Sequence, residues 1–210
     1  LMHDVEYDER LKLHPEPYFR QNLLLSKDLS IFYGDRCVAN GISLTLNRGD
    51  RIALVGRNGC GKSSLLKLLV GQPIAHTGTL EIGSRLTVSY VPQDMSFLSG
   101  SADDFAAESE IDLTLFKTIL RKLDFKRTQF TKDMSEFSMG QKKKVLLARS
   151  LCQRANLYIW DEPLNYIDVI SRLQIETLIL EYKPTMLFVE HDEAFVNDIA
   201  TKVCRISLNQ

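Results

Sequence analysis

Short apolar runs separated by longer mixed segments are the main pattern of hydrophobic and polar positions along this chain. Residues 51–55 and 185–189 each form a short, mainly apolar run, and residues 157–160 are four bulky apolar residues in succession. Such runs are typical of strands, and the run at 157–160 suits a central parallel strand that is buried on both faces. The pattern therefore predicts an α/β core.

Three segments have a helical pattern instead. Residues 63–70, 111–123 and 142–151 carry apolar side chains at helical spacing, and the segment 111–123 is the most clearly amphipathic. Residues 96–109 are small and polar, so the sequence predicts a loop there. The opening residues 1–14 are charged and helix-like and run into a proline-rich stretch, which is typical of the end of a linker.

A glycine-rich octapeptide lies between the predicted strand at 51–55 and the predicted helix that follows it. Residues 56–63 read G-R-N-G-C-G-K-S and fit the phosphate-binding pattern G-x-x-x-x-G-K-[ST]. Glycines let backbone N–H groups point at phosphate oxygens, and the helix N-terminus adds a partial positive charge. Lys62 can then reach the β- and γ-phosphates, and the Ser63 hydroxyl can bind Mg²⁺.

Two acids follow the apolar run at 157–160. Asp161 and Glu162 would lie at the carboxyl end of a strand, where open α/β sheets bind their ligands. Asp161 is placed to hold a metal ion, and Glu162 is placed to orient and deprotonate an attacking water. Taken alone, the pair would more often be two solvated acids, and the phosphate-binding loop upstream reverses that preference.

Composition and charge exclude several classes of protein. The chain has 210 residues, of which 44% are hydrophobic and 25% charged, as in ordinary globular domains. No apolar run approaches the length of a membrane span, and the charged start is unlike a signal peptide. The net charge of −1 gives no global attraction to nucleic acid. Four scattered cysteines without a C-x-x-C pair predict neither a zinc site nor a disulfide framework, which favours the cytoplasm.

Three further motifs follow in a fixed order. Residues 91–94 read V-P-Q-D, residues 138–141 read S-M-G-Q before a helix, and residues 188–192 read F-V-E-H-D. Each has an ordinary explanation alone: a loop glutamine, a serine that caps a helix, a surface histidine. Together with the phosphate-binding loop and the acidic strand end, their order resembles the ATP-binding cassette (ABC) ATPase family over about residues 23–208. The implied fold is α/β, with a mostly parallel core sheet flanked by helices, an antiparallel β subdomain and a small helical subdomain.

The resemblance implies a role for each matched residue. Tyr33 would stack on adenine with Val38 beside it, although Phe32 competes for this role and core packing would explain either aromatic ring. ATP would be bound by Tyr33, Val38, Gly56, Arg57, Asn58, Gly59, Cys60, Gly61, Lys62, Ser63, Ser64 and Gln93. Mg²⁺ would be bound by Ser63, Gln93 and Asp161, and catalysis would involve Lys62, Glu162 and His191.

The segment at 138–141 implies a second cassette as a partner. In the family, residues equivalent to Ser138, Gly140 and Gln141 face the γ-phosphate that is bound by an opposing cassette, and Asp168 would lie at the same interface. One cassette would then carry two half-sites, and a complete site would need a second cassette or a second copy. Met139 replaces a family glycine, which changes the composite site.

The resemblance extends to one group within the family. Residues 161–168, D-E-P-L-N-Y-I-D, and residues 137–144 are similar to ABC-F proteins, which join two cassettes through a helical linker and act on the ribosome. It implies that residues 1–20 end that linker and that residues 21–210 form the nucleotide-binding domain, with a helical subdomain at about 96–140. A translation factor or an antibiotic-resistance protein would follow. A nucleotide-binding subunit of a membrane transporter and a cassette that binds ATP without hydrolysis are the alternatives.

Basic and aromatic residues alternate after the helix predicted at 111–123. Arg121, Lys122, Lys126, Arg127 and Lys132 surround two phenylalanines, Phe125 and Phe130. Such a mixture could contact RNA, including ribosomal RNA. A solvated basic face above two core phenylalanines is the more common arrangement, and residues 142–144, three lysines, carry the same ambiguity.

Overall fold

A computed structural model describes residues 10–207 and is mixed α/β. The elements are, in chain order, β1 (His14–Pro15), β2 (Asn22–Tyr33), β3 (Arg36–Asn47), β4 (Arg51–Val55), α1 (Lys62–Leu69), β5 (Ala75–Ile82), β6 (Val88–Val91), α2 (Ala102–Glu108), α3 (Leu113–Lys122), α4 (Met139–Cys152), β7 (Arg154–Ala155), β8 (Leu157–Asp161), α5 (Val169–Tyr182), β9 (Met186–Val189), α6 (Glu193–Ile199) and β10 (Lys202–Arg205). Two short 3₁₀ segments, Arg127–Thr131 and Met134–Glu136, lie between α3 and α4.

A five-stranded sheet with the order β10-β4-β9-β8-β6 forms the centre of the fold, and all of its neighbouring strands are parallel. Every residue of β8 and β9 is buried. The pleat sends Tyr158 and Trp160 into the apolar core on one face of the sheet, and Leu157 and Ile159 into the core on the other. The predicted buried strands are therefore confirmed, and their carboxyl ends meet at one edge of the sheet.

A three-stranded antiparallel sheet, ordered β3-β2-β5, covers one side of the molecule. Its Ile31 and Ala39 share a core with Leu65 and Leu66 of α1, so the helix after the glycine-rich loop is packed against this sheet. Helices α2, α3 and α4 lie with the core on the other face of the central sheet. The parallel sheet, the antiparallel sheet and the helical region together confirm the predicted fold class.

The loop predicted at 96–109 is wrong over its second half, because α2 occupies Ala102–Glu108. Ser101 caps this helix by accepting a hydrogen bond from the Asp104 amide at 3.0 Å. Ala102, Phe105 and Ala106 are buried at a spacing that one helical face provides. Two of the three are alanines, which are only weakly hydrophobic, so the apolar stripe was hidden in a segment that is otherwise mostly polar.

The basic and aromatic cluster separates into a surface and a core. Phe125 is buried, with its ring centroid 5.5 Å from that of Phe130 and 5.3 Å from that of Phe137. The cations Arg121, Lys126, Arg127 and Lys132 are exposed. This placement favours a solvated basic face over an aromatic platform for RNA bases, since the phenylalanine rings pack against one another.

The predicted linker and domain boundary fall at the beginning of the chain. Most of the helix-like stretch predicted at 1–14 lies outside the described residues. Of the residues that follow, Leu11, Leu13 and Tyr18 are buried in the two apolar cores. His14–Pro15 pairs with Arg154–Ala155 as a short parallel ladder. The division at residue 20 stays a prediction, and the residues from Leu11 to Tyr18 pack on the same body as the rest.

Candidate nucleotide-binding site

The glycine-rich loop joins the end of β4 to the first turn of α1. Gly61 caps the helix with φ of 89°, a left-handed conformation that favours glycine. A Cβ at Gly61 would collide with the Val38 carbonyl oxygen and the Ala39 side chain. The helix begins at Lys62, one residue before the predicted start. Its position thus depends on a glycine that lies directly against β3.

The N-terminus of α1 is free to receive an anion. No side chain caps the helix, and its first turn contains no acidic residue. The amide groups of a first helical turn lack intrahelical partners and carry partial positive charge. A phosphate at this position would therefore meet unsatisfied donors and no competing carboxylate.

Lys62 lies across the loop that precedes it. Its side chain is nearly buried, and Nζ donates hydrogen bonds to the carbonyl oxygens of Gly56 at 2.7 Å and Arg57 at 3.0 Å. The Cys60 sulfur lies 3.7 Å from Nζ. The ammonium group is thus held within the loop by backbone acceptors, which a phosphate oxygen could replace.

One chain of hydrogen bonds connects the glycine-rich loop with the acidic strand end. The Ser63 hydroxyl lies 2.7 Å from Asp161 Oδ2 and 3.0 Å from Gln93 Oε1. Gln93 Nε2 donates to Glu162 Oε2 at 3.1 Å, and His191 Nε2 lies 2.8 Å from Glu162 Oε1. The structure therefore brings together five of the predicted site residues, which come from α1, from β8 and from the residues after β6, β8 and β9.

Asp161 has the chemistry of a metal ligand. It is 1% exposed, and burial raises its pKa while the hydrogen bond from Ser63 opposes the rise. Its second oxygen, Oδ1, is buried without a hydrogen-bond partner among the described residues. Within residues 10–207 no three His, Cys, Asp or Glu side chains could hold a metal. Mg²⁺ instead suits the mixed oxygen set of Ser63, Gln93 and Asp161, completed by water and phosphate oxygens.

Glu162 and His191 form a contact at the mouth of the site. The Glu162 side chain is 14% exposed and the His191 side chain 49% exposed. Glu162 has φ of 50°, a left-handed backbone conformation that costs free energy in a residue other than glycine. Its amide donates to the Val189 carbonyl at 2.9 Å, which holds the carboxylate at the end of the sheet. Strained residues of this kind cluster at functional sites.

A cavity of about 450 Å³ lies beside this cluster. Its wall contains Tyr33 and Val38 from the antiparallel sheet, and Phe32 is not part of it. The other predicted residues on the wall are Asn58, Gly59, Gly61, Lys62, Ser63, Ser64, Gln93 and Glu162. Arg57 is exposed in the loop, Cys60 is buried, and Gly56 lines an adjoining cavity. Arg36, which pairs with Tyr33 across the hairpin, also lines the wall, and sequence reasoning missed it.

The predicted residues around the S-M-G-Q segment lie apart from this cavity. Ser138 Oγ accepts from the Gln141 amide at 3.2 Å, and Gln141 Oε1 accepts from the Ser138 amide at 2.9 Å. This capping box begins α4 and engages the Gln141 side chain within its own helix. A Cβ on Gly140 would lie 2.7 Å from the Tyr166 carbonyl oxygen. The start of α4 is therefore packed against the loop that leads to α5.

Together with Ser138, Gly140 and Gln141, Asp168 forms a second surface that is separate from the cavity. Lys144 Nζ lies 2.9 Å from Asp168 Oδ1, and Asp168 caps α5 by accepting from the Ser171 amide at 3.0 Å. Partial burial alone would raise the pKa of Asp168, but the hydrogen bonds from Lys144 and Ser171 lower it to about 2. Within residues 10–207 no hydrogen bond in the structure joins Ser138, Gln141 or Asp168 to the cluster around Ser63.

A parallel strand, a glycine loop and a helix that meet an acidic strand end define a P-loop nucleotide-binding domain. Comparison with known proteins identifies the family. The family model described as ABC transporter matches residues 39–165, more than half of the 210-residue chain. The chain belongs to this family and is an ATP-binding cassette domain.

Curated relatives include ATP-binding proteins, a ribosome protection protein and a member of the ABC transporter F family. The ATP-binding protein YdiF of Bacillus subtilis is 35% identical over 193 residues, which cover 88% of this chain and 30% of that protein. The ribosome protection protein VmlR of the same species is 27% identical over 207 residues, which cover 97% of this chain and 38% of that protein. The chain thus spans about a third of the length of these relatives, and they are consistent with an ABC-F cassette.

Solved structures share the fold. A structure of the ATP binding subunit of an ABC transporter superposes with a TM-score of 0.72 at 23% identity, covering 88% of this chain and 85% of that chain.

In the described part of the chain, no helix has the length and hydrophobicity that crossing a bilayer requires.

Proposed function

We propose that this domain is the ATPase cassette of a twin-cassette ABC-F protein that acts on the ribosome in the cytoplasm, in translation or in antibiotic resistance. The ATPase activity is inferred from a hydrogen-bonded cluster beside the glycine-rich loop, which consists of Ser63, Gln93, Asp161, Glu162 and His191. Action on the ribosome is supported by the likeness to VmlR, a ribosome protection protein.

In the proposed mechanism, ATP occupies the cavity with its adenine against Tyr33 and Val38. The phosphates lie at the N-terminus of α1, where Lys62 exchanges its two carbonyl acceptors for phosphate oxygens. Ser63, Gln93 and Asp161 would hold Mg²⁺, which when bound supplies positive charge to the phosphate oxygens. These contacts position the phosphates and neutralise charge, which is most of what phosphoryl transfer requires.

Glu162 acts on the attacking water. Its two carboxylate oxygens are oriented by Gln93 and His191, so the carboxylate is held at the end of β8, where it can accept a proton from water. His191 is exposed enough to contact the γ-phosphate from the same position. The pair would therefore hold the water and the phosphate in line.

A second cassette completes the site in this proposal. Ser138, Gly140 and Asp168 lie on the separate surface described above, where they would face the nucleotide of the opposing cassette. Exposed apolar side chains adjoin this surface: Met139, Tyr166, Val169 and Ile170 are each between 47% and 72% exposed. A patch of this kind is typical of a protein interface.

The test uses the full-length protein with Glu162→Gln, which should bind ATP without hydrolysing it. We expect this variant to co-sediment with ribosomes in the presence of ATP, whereas the wild-type protein is released after hydrolysis. Adding Lys62→Ala to the variant should abolish the co-sedimentation, because ATP is no longer bound. Association with membranes and not with ribosomes would instead support a transporter subunit.

A further inference from the structure

A buried glutamate follows β9 directly, between the strand and the histidine of the site. Glu190 is 7% exposed. Its Oε1 accepts a hydrogen bond from the His191 amide at 3.0 Å, and its Oε2 accepts from the Leu164 amide at 3.1 Å. Both carboxylate oxygens are therefore engaged by backbone donors from two different loops.

These two loops carry the two members of the Glu162–His191 contact. Leu164 lies two residues after Glu162, and His191 is the neighbour of Glu190 itself. Glu162 contributes an amide hydrogen bond to the Val189 carbonyl at 2.9 Å, one residue before Glu190. The Glu190 carboxylate thus bridges the backbones on both sides of the 2.8 Å contact between His191 and Glu162.

The hydrogen bonds at Glu190 are those that a buried carboxylate requires. Burial raises the pKa of Glu190, and its two backbone hydrogen bonds, from His191 and Leu164, oppose the rise. Burying a charged group without such donors would be costly, so the two amides hold the carboxylate in place between the two loops.

We propose that Glu190 is a positioning residue, which sets His191 against Glu162. The role follows from geometry: a single side chain fixes the backbone on both sides of the contact between His191 and Glu162. The inference rests on the proposed ATPase function for its kinetic part.

Glu190→Gln is the first test, in the full-length protein. Glutamine has one oxygen and one amide group, so it can accept from only one of the two backbone donors. We expect kcat for ATP hydrolysis to fall about 10–100-fold, as for other residues that orient a catalytic group, with KM changed less than about twofold. The matched control is Glu193→Gln, which removes an exposed carboxylate three residues away and should leave kcat unchanged.

A spectroscopic readout separates positioning from folding. The ring ¹⁵N resonances of His191 should move in Glu190→Gln and stay in place in Glu193→Gln, while the thermal unfolding midpoint falls by only a few degrees. An unchanged kcat, or a fall in kcat with unmoved His191 resonances, would overturn the proposal. If the wild-type protein hydrolyses no ATP, the ATPase function fails, and the His191 resonances still decide whether Glu190 positions the ring.

Discussion

The two functional surfaces of this domain differ in how their polar side chains are hydrogen-bonded. Around the glycine-rich loop, side-chain hydrogen bonds connect Ser63 with Asp161 and, through Gln93, with Glu162, while buried Lys62 is held by carbonyl oxygens of its own loop. Around Ser138 and Asp168, polar groups are satisfied locally by helix caps and one ion pair. The first surface is a preorganised pocket, whereas the second is an outward-facing platform.

This difference indicates how ATP binding and hydrolysis would be divided between the two surfaces. Such a pocket combines a buried cation with a helix N-terminus that no side chain caps, so it can bind a charged ligand within a single domain. The platform is flanked by exposed Met139 and Tyr166, and within residues 10–207 no hydrogen bond joins Ser138, Gln141 or Asp168 to that pocket. Under the proposed function, ATP binding should therefore depend on the first surface alone, and hydrolysis should depend on both.

The largest effect should come from removing the cation of the pocket. Lys62→Ala deletes the donor that the loop holds closest to the phosphates, so we expect ATP hydrolysis to fall by roughly 100–1,000-fold and ATP affinity to fall with it. The checks are steady-state hydrolysis and titration with a fluorescent ATP analogue. Lys67→Ala, at the other end of α1, removes the same charge outside the cavity and should retain both properties. Unchanged affinity and rate in Lys62→Ala would contradict the assignment of the loop.

A substitution on the platform should separate hydrolysis from binding. Gly140→Ala places a methyl group 2.7 Å from the Tyr166 carbonyl oxygen, so the start of α4 must shift. We expect hydrolysis by the full-length protein to fall about tenfold or more, because a displacement of about 1 Å can cost that much. ATP affinity of the isolated domain should stay within about twofold. Lys142→Ala on the same helix is the control. A parallel loss of affinity would show that the two surfaces are not separable.

Sequence patterns predicted the strands and the helix around the pocket well because the determinants of these elements are local. The strand at Arg51–Val55 has the predicted bounds, and α1 begins one residue before the predicted start. Asp161 and Glu162 follow the predicted strand at its carboxyl end. Neighbouring residues in the sequence are enough to specify a short apolar strand, a glycine turn and two acids at the end of a strand. Their convergence follows from the parallel sheet, in which all carboxyl ends share one edge.

Tertiary contacts decided what the sequence left open. The three lysines at 142–144 look equivalent along the chain, yet Lys143 is buried and Lys144 pairs with Asp168 at 2.9 Å. Successive helical residues point about 100° apart, so each lysine meets a different neighbour. The positions of Arg36 and Glu190 in the site likewise could not be predicted from the sequence. Their roles depend on which element lies opposite, and no motif records that.

Asp161 should show the cost of a preorganised pocket. Burial raises its pKa, so the charged form is disfavoured in the folded chain, and stability falls as pH rises from the unfolded pKa through the raised folded pKa. At neutral pH, Asp161→Asn should therefore raise the unfolding midpoint of the ligand-free domain by about 2–4 °C, the equivalent of about 1 kcal/mol. The same variant should lose the further stabilisation that Mg²⁺ and ATP give together.

Differential scanning fluorimetry with and without Mg²⁺ and ATP checks both parts of this prediction. Asp35→Asn, at an exposed aspartate in the hairpin between β2 and β3, is the matched control and should shift neither midpoint by more than about 1 °C. A destabilised ligand-free Asp161→Asn would mean that the hydrogen bond from Ser63 outweighs the burial of the charge. Full stabilisation of the variant by Mg²⁺ and ATP would remove Asp161 from the metal site.

The smallest effect should come from replacing Asp168, a residue of the platform that is half exposed and pairs with Lys144. Its pKa is lowered to about 2. A carboxylate with a depressed folded pKa stabilises the fold above its unfolded pKa, and the contribution is lost as pH falls through the folded pKa. Between about pH 4 and pH 2, the midpoint difference between the wild-type domain and Asp168→Asn should therefore shrink toward zero. At pH 7 that difference should be only about 1–3 °C, because exposed ion pairs contribute little. A difference that persists unchanged at pH 2 would mean that Asp168 acts through packing, and the platform would then be more like the pocket than its exposure indicates.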